Sequence, residues 1–195
     1  DLSIGDFRPL LVHSRAATGG TTDLPIGPWD EEAAWFGLAV RRSASPTLIR
    51  GSVTRAMTVE DTHAVLRAGA ISHRPAHADQ LHGDVWLDGE PVAVDAGSYR
   101  YTAPAPWGNA LADEDVHNVP RVPGAPQAVR SGRFFWSRWA DAEVIAASVD
   151  RDHEDRTARL ILPDGSVLVR EVRVTDGTVV VTDRLAGNRP GVVRW

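Results

Sequence analysis

The chain contains no cysteine, so neither disulfides nor thiolate ligands take part in its fold, and any metal must be held by nitrogen and oxygen. Lysine is also absent. All 21 basic residues are arginine, a bias that reads first as composition, although arginine is also the better clamp for a carboxylate. No apolar run approaches the roughly 20 residues that cross a bilayer as a helix. The net charge of −5 lacks the basic excess of a general nucleic-acid binder, so an acidic ligand would need a local basic patch. The first residue is not methionine, and no charged-then-apolar leader follows it. Residues 191–195 read as the opening of a strand with nothing after it. The expectation is therefore a piece of a longer protein. What is present, 195 residues with 43% hydrophobic content, is enough for one substantial core.

Residues 1–30 are rich in Gly, Thr, Pro and Asp and show no sustained period, which predicts irregular chain. Asp30 followed by Glu31, Glu32 and an apolar cluster predicts a short helix, with Gly37 ending or weakening it. From about residue 48 the texture changes to short β-type runs between turn residues. Residues 51–59 and 62–68 read as one hairpin, and residues 81–87 and 92–94 as another around Asp88-Gly89, a pair suited to a type I′ turn. Further runs follow at 133–139, 143–149, 158–162, 167–174 and 179–183. The pattern predicts an all-β, antiparallel β-sandwich over residues 48–195, truncated at its C-terminus, preceded by an irregular segment 1–47 containing a short helix.

The chemistry concentrates in His77-Ala78-Asp79-Gln80-Leu81, then Asp95-Ala96-Gly97-Ser98-Tyr99-Arg100-Tyr101, then His117-Asn118. Two histidines and one carboxylate form a common metal-binding set, leaving a further position for water or substrate. The Asp88-Gly89 hairpin would bring His77 beside Asp95, and residues 102–116 are long enough to return His117. Three readings stay open on spacing alone. The residues are separate hydrogen-bonded side chains at strand ends, or His77, Asp95 and His117 hold a metal. Alternatively His77, Asp79 and His117 form the two-His, one-carboxylate triad of a non-haem iron oxygenase, with Arg121, Arg130 or Arg133 anchoring a co-substrate carboxylate. Of the seven Trp residues, Trp86, Trp136 and Trp139 sit in strand-like runs and read as core.

The same ordered motifs, extended by Gly132-Arg133-Phe134-Phe135-Trp136, resemble the C-terminal domain of heparinase II/III-type polysaccharide lyases over most of residues 62–140. The resemblance implies a β-sandwich preceded by a helical toroid, with the active site between them. It implies a metal, zinc first, on His77, Asp95 and His117. It also implies β-elimination on an acidic, uronic-acid-containing polysaccharide such as a glycosaminoglycan or alginate, in a bacterial enzyme exported to the periplasm or outside the cell. Tyr99 and Tyr101, taken to alternate on one strand face, are the acid–base candidates, and Arg100, Trp107, Asn109 and Asn118 the sugar-contacting ones. In many members a catalytic histidine stands where this chain has Pro75, and His73 is the nearest substitute. Because other catalytic residues come from the toroid, this stretch alone is expected to be a poor catalyst. A non-catalytic metal-bound sandwich that serves a glycan or partner is the alternative.

Overall fold

The computed structural model describes residues 7–43, 54–187 and 189–195. The chain divides into two compact units, Asp1–Ile49 and Arg50–Trp195.

In the first unit, helix α1 (Arg8–Ala17) corrects the expectation of irregular chain before residue 30. It escapes a reading from caps because its N-cap residue is Phe7, which makes no side-chain cap bond. Pro9 in the first turn supplies the helical φ instead. Val12 is its one buried residue, so the apolar period is weak. The support is tertiary: Ala33 of α2 (Glu31–Trp35) is likewise buried, and the His13 ring meets Phe36 edge-on at 5.1 Å. Between the helices lies β1 (Thr21–Thr22), which pairs in parallel with β2 (Arg41–Arg42). The helix foreseen after Asp30 is α2, and Gly37 follows it at φ +65°. The Asp30 carboxylate does not cap α2; it accepts from the Gly27 N–H and from Arg42 at 2.6 Å.

The second unit is an antiparallel β-sandwich. One sheet orders β3 (Thr54–Val59), β4 (Thr62–Arg67), β5 (Gly83–Leu87) and β6 (Glu90–Ala93) side by side in chain order. After a hairpin of β7 (Ala128–Gly132) and β8 (Phe135–Trp139), the second sheet contains β9 (Ala142–Val149), β10 (His153–Ile161), β11 (Val167–Thr175) and β12 (Thr178–Ala186), again in sequential order. Positions 51–53 of the first foreseen hairpin lie outside the described residues. The Asp88-Gly89 turn forms with φ of +52° and +77°, the pair of positive angles a type I′ turn requires. β7 was not foreseen. β10 begins at His153, well before residue 158, because its polar first half pairs residue for residue with β11. The foreseen terminal strand is reduced to an antiparallel bridge between Val192 and Arg121.

The inward faces of the two sheets meet in one core built on Met57, Leu66, Leu81, Leu160, Leu168, Val172 and Val174. Strand alternation in β11 points Leu168, Arg170, Val172 and Val174 inward, so a fully buried arginine interrupts an aliphatic row. Its guanidinium forms a bidentate pair with Asp183 of β12 at 2.8 and 2.7 Å. The remaining nitrogen reaches the carbonyls of Leu81 at 2.7 Å and Asn118 at 2.5 Å. A buried charge persists only when paired and hydrogen-bonded in this way. Trp136 and Trp139 pack with Ala78 and Ala112 in a smaller cluster, beside the site.

Candidate metal centre

Loops, rather than strand ends, carry the three side chains. His77 lies in the connection from β4 to β5, Asp95 just beyond β6, and His117 after the short 3-10 turn Glu114–Val116. The β5–β6 hairpin sets Asp95 next to the β4–β5 loop, as its turn foretold. That loop has no ladder of its own and is tied down by side chains. The Gln80 N–H donates to Gln127 Oε1 at 2.8 Å, Gln80 Nε2 donates to the Gly69 carbonyl at 2.7 Å, and the Ala78 N–H donates to the Ala112 carbonyl at 2.8 Å.

His117 Nδ1 faces the Asp113 carbonyl at 2.8 Å and must donate to it, which leaves the Nε2 lone pair directed at Asp95 Oδ2, 3.0 Å away. His77 Nε2 meets Ser98 Oγ at 3.0 Å, and its Nδ1 stands 3.4 Å from His117 Nε2 and 3.7 Å from Asp95 Oδ2. Fixing one ring nitrogen through a carbonyl or hydroxyl so that the other is free is how protein surroundings orient metal-binding imidazoles. His117 Nε2 and Asp95 Oδ2 are acceptors, and His77 Nδ1 is a third whenever its Nε2 donates to Ser98; in that tautomer the three atoms suit a cation, either a shared proton or a metal ion. A point equidistant from the three lies about 2.0 Å from each, the distance at which zinc takes nitrogen and oxygen ligands. The residues therefore fit a small divalent ion.

Without such an ion the proton takes its place. The hydrogen bonds from His117 and His77 hold the Asp95 carboxyl far below the usual carboxylate range, against the opposing effect of burial. Burial acts to lower the His117 pKa, but the bonds to Asp95 and the Asp113 carbonyl outweigh it, and the net shift is upward. Asp79 belongs to the same cluster, whose ligand atoms all lie within 4.8 Å of one another. Its carboxylate is engaged by Arg67 Nε at 2.8 Å, and burial, the larger effect, pushes its pKa up.

The centre opens on two clefts that share His77. The larger, about 390 Å³, is lined by Arg74, Ala76, His77, Tyr101, Asn109 and Phe134. The smaller, about 200 Å³, includes Arg67, His73, Pro75, His77 and Asp79. Tyr101 thus reaches the larger cleft, its ring edge-on to Phe134 at 5.2 Å. Tyr99 does not share a strand face with it. The segment beyond β6 is irregular there, with Gly97 and Tyr99 at positive φ, and Tyr99 stays 60% exposed with the Arg100 guanidinium beside its ring. His73 is exposed in the smaller cleft. Trp107 is exposed; Asn109 is buried at the larger cleft, its amide donating to the Arg133 carbonyl. Asn118 is absorbed into the framework, its side-chain amide exchanging two hydrogen bonds with the backbone of Gly83. Arg74 and Phe134 also line the larger cleft; Arg74 is a loop residue with no spacing signal, and Phe134 stands in the Gly132-to-Trp136 motif without having been assigned a role in the site.

Comparison with solved structures gives the same architecture. The heparan sulfate lyase HepC from Pedobacter heparinus is 16% identical with a TM-score of 0.64, over 93% of this chain and 28% of that one. A heparinase III, the BT4657 gene product, is 17% identical with a TM-score of 0.57, over 73% of this chain and 22% of that one. Identities this low speak for fold alone, and this chain spans less than a third of either protein. No curated protein sequence matches it. Residues 48–195, however, match the family described as heparinase II/III-like, C-terminal, across the whole sandwich unit and all three residues of the cation-shaped triangle, and the chain belongs to that family.

Proposed function

We propose that this chain supplies the β-sandwich part of an exported polysaccharide lyase that cleaves a uronic-acid-containing glycosaminoglycan by β-elimination, with a divalent ion, zinc first, on His77, Asp95 and His117. The observation that carries the reading is the triangle of His77 Nδ1, His117 Nε2 and Asp95 Oδ2, whose His77 corner lines a cleft that also presents Tyr101 and Arg74. β-Elimination removes the proton at C5, beside the uronate carboxylate, and expels the oxygen linked at C4. It requires a base, an acid for the leaving oxygen, and positive charge or donors for the enolate-like intermediate. Arg74 gives one guanidinium nitrogen to the Phe134 carbonyl at 2.6 Å, which fixes the group at the cleft with donors left for a carboxylate. The Tyr101 hydroxyl is the proton-handling group of this chain, and the Phe134 ring sets its orientation. A bound ion would add fixed positive charge beside the cleft and lock the rings that line it.

The remaining catalytic groups are assigned to a helical toroid domain, consistent with this chain matching only 28% of the HepC chain. Pro75, buried where the catalytic histidine of many members stands, favours a second reading, in which the metal only braces a glycan-binding sandwich.

Metal analysis of the purified chain and its variants tests the site. About one equivalent of zinc is expected in the parent and in Asp79→Ala, and none in His77→Ala, Asp95→Ala or His117→Ala. Metal retained in both His77→Ala and Asp95→Ala would end the assignment, and loss in Asp79→Ala with retention in Asp95→Ala would favour the oxygenase triad. With heparan sulfate, the substrate named for the Pedobacter enzyme, release of unsaturated uronate should need the toroid domain joined to this chain. Efficient release by the chain alone would refute that division of labour.

A further inference from the structure

Beneath the triangle lies a second layer that neither the spacing nor the metal reading calls for. His82 and Asp84 flank Gly83 at the start of β5 and share one face of the strand. The His82 ring is 2% exposed. Its Nδ1 accepts the Asn118 N–H at 3.3 Å, which obliges Nε2 to carry the proton, and Nε2 donates to Asp84 Oδ1 at 3.1 Å. That same Asp84 oxygen accepts the Asp95 N–H at 2.7 Å. The chain of contacts therefore runs from the backbone of Asp95, through one carboxylate and one imidazole, to the residue that follows His117. The His82 ring also stands edge-on to the His117 ring, with centroids 5.3 Å apart and planes at 84°.

Asp95 and His117 lie on separate segments with no backbone ladder between them, and their mutual distance of 3.0 Å must be set by something. We infer that His82 and Asp84 form a positioning dyad that fixes the separation of Asp95 and His117, so that the site is assembled before any ion arrives. Neither residue lines the ion position or the clefts; both act through the ligand segments, on the backbone of Asp95 and Asn118 and, for His82, also on the edge of the His117 ring. The inference rests on the metal reading only for its consequence in affinity, since the positioning itself belongs to the metal-free protein.

Asp84 suits the test because its side chain is only partly buried, at 18% exposure, and its truncation opens no core cavity. The full chain would be compared with Asp84→Ala and Asp84→Asn. The amide of the latter keeps an oxygen to accept the Asp95 N–H. In chelator-treated protein, the imidazole ¹⁵N resonances of His117 are the decisive measurement, because Asp84 does not touch that ring and reaches it only through the dyad's two contacts, His82 on one side and the backbone of Asp95 on the other. Asp84→Ala should shift or broaden them, and Asp84→Asn should bring them back toward the parent. Zinc affinity, by competition with a chromophoric chelator, should fall about 10- to 100-fold in Asp84→Ala. Unchanged His117 resonances in Asp84→Ala would overturn the dyad whether or not the protein binds zinc, and so would an Asp84→Asn variant as defective as Asp84→Ala. A parent chain that binds no zinc while its His117 signals still respond to Asp84→Ala would retire the metal reading and leave the positioning intact.

Discussion

The β9–β12 sheet and the site wall between β4 and β7 are held in different ways. In the sheet, β10 pairs with β11 over nine successive positions, from His153↔Thr175 to Ile161↔Val167. Its exposed side adds cross-strand ion pairs, Glu143 with Arg159, Asp155 with Arg173 and Glu171 with Arg184. Any one contact there is backed by its neighbours. In the wall, individual side chains hold one or two isolated backbone groups: Gln127 holds Gln80, Asn118 holds Gly83, and Arg170 holds Leu81 and Asn118. Redundant contacts tolerate loss and solitary ones do not, so the wall should be the fragile half.

The sharpest test is Arg170→Met, which leaves Asp183 without its partner and two buried carbonyls without donors. Breaking a buried pair from one side costs about 3–5 kcal/mol, to be read by denaturant unfolding, and zinc affinity should fall as well because Leu81 and Asn118 adjoin the dyad and His117. Gln127→Ala should cost about 1–3 kcal/mol, the penalty for a buried donor left unmade. Hydrogen exchange should accelerate at Gln80 while β10 stays protected. The next effect is on affinity alone. Because His117 is held above its ordinary 6.5 in the metal-free state, zinc must displace a proton below that raised value. Affinity should then fall about tenfold per pH unit on acidification, starting at a higher pH than an ordinary histidine would give, and chelator competition across pH would show it. In the same metal-free state, His117's contribution to stability is present below its unfolded pKa and is lost as pH rises through the folded one. Smallest of all, Arg184→Ala in the sheet should change stability by under about 1 kcal/mol. A larger loss there than in Gln127→Ala would reverse the comparison.

The two halves also differ in how far the sequence betrays them. Turn dipeptides and alternation expose β5, β6 and β9 to β12, because a period of two and a pair of positive φ angles are local demands. Inward alternation also misleads at Arg170, where a charge occupies a core position that pattern reasoning assigns to solvent. His77, Asp95 and His117 are recognisable by residue type and order, and family resemblance separates Asp95 from Asp79. The supporting Gln80, Gln127, Ser98, His82 and Asp84 follow no period, since each answers a backbone group or a ring nitrogen far away in sequence. Helix α1 is hidden for a related reason: it has neither a side-chain cap nor a broad apolar face, and its stability comes from α2.

Arg170 also sets a limit on how this protein can be shortened. Its bidentate partner Asp183 lies on β12, the last strand of the second sheet, while its third nitrogen reaches back to residues flanking the His77, Asp95 and His117 cluster. A truncation ahead of Asp183 would delete neither the two imidazoles nor the carboxylate of the triangle, yet it would strand a buried cation and release the segments that carry them. The smallest piece able to keep the centre thus extends some way past the last residue that touches it.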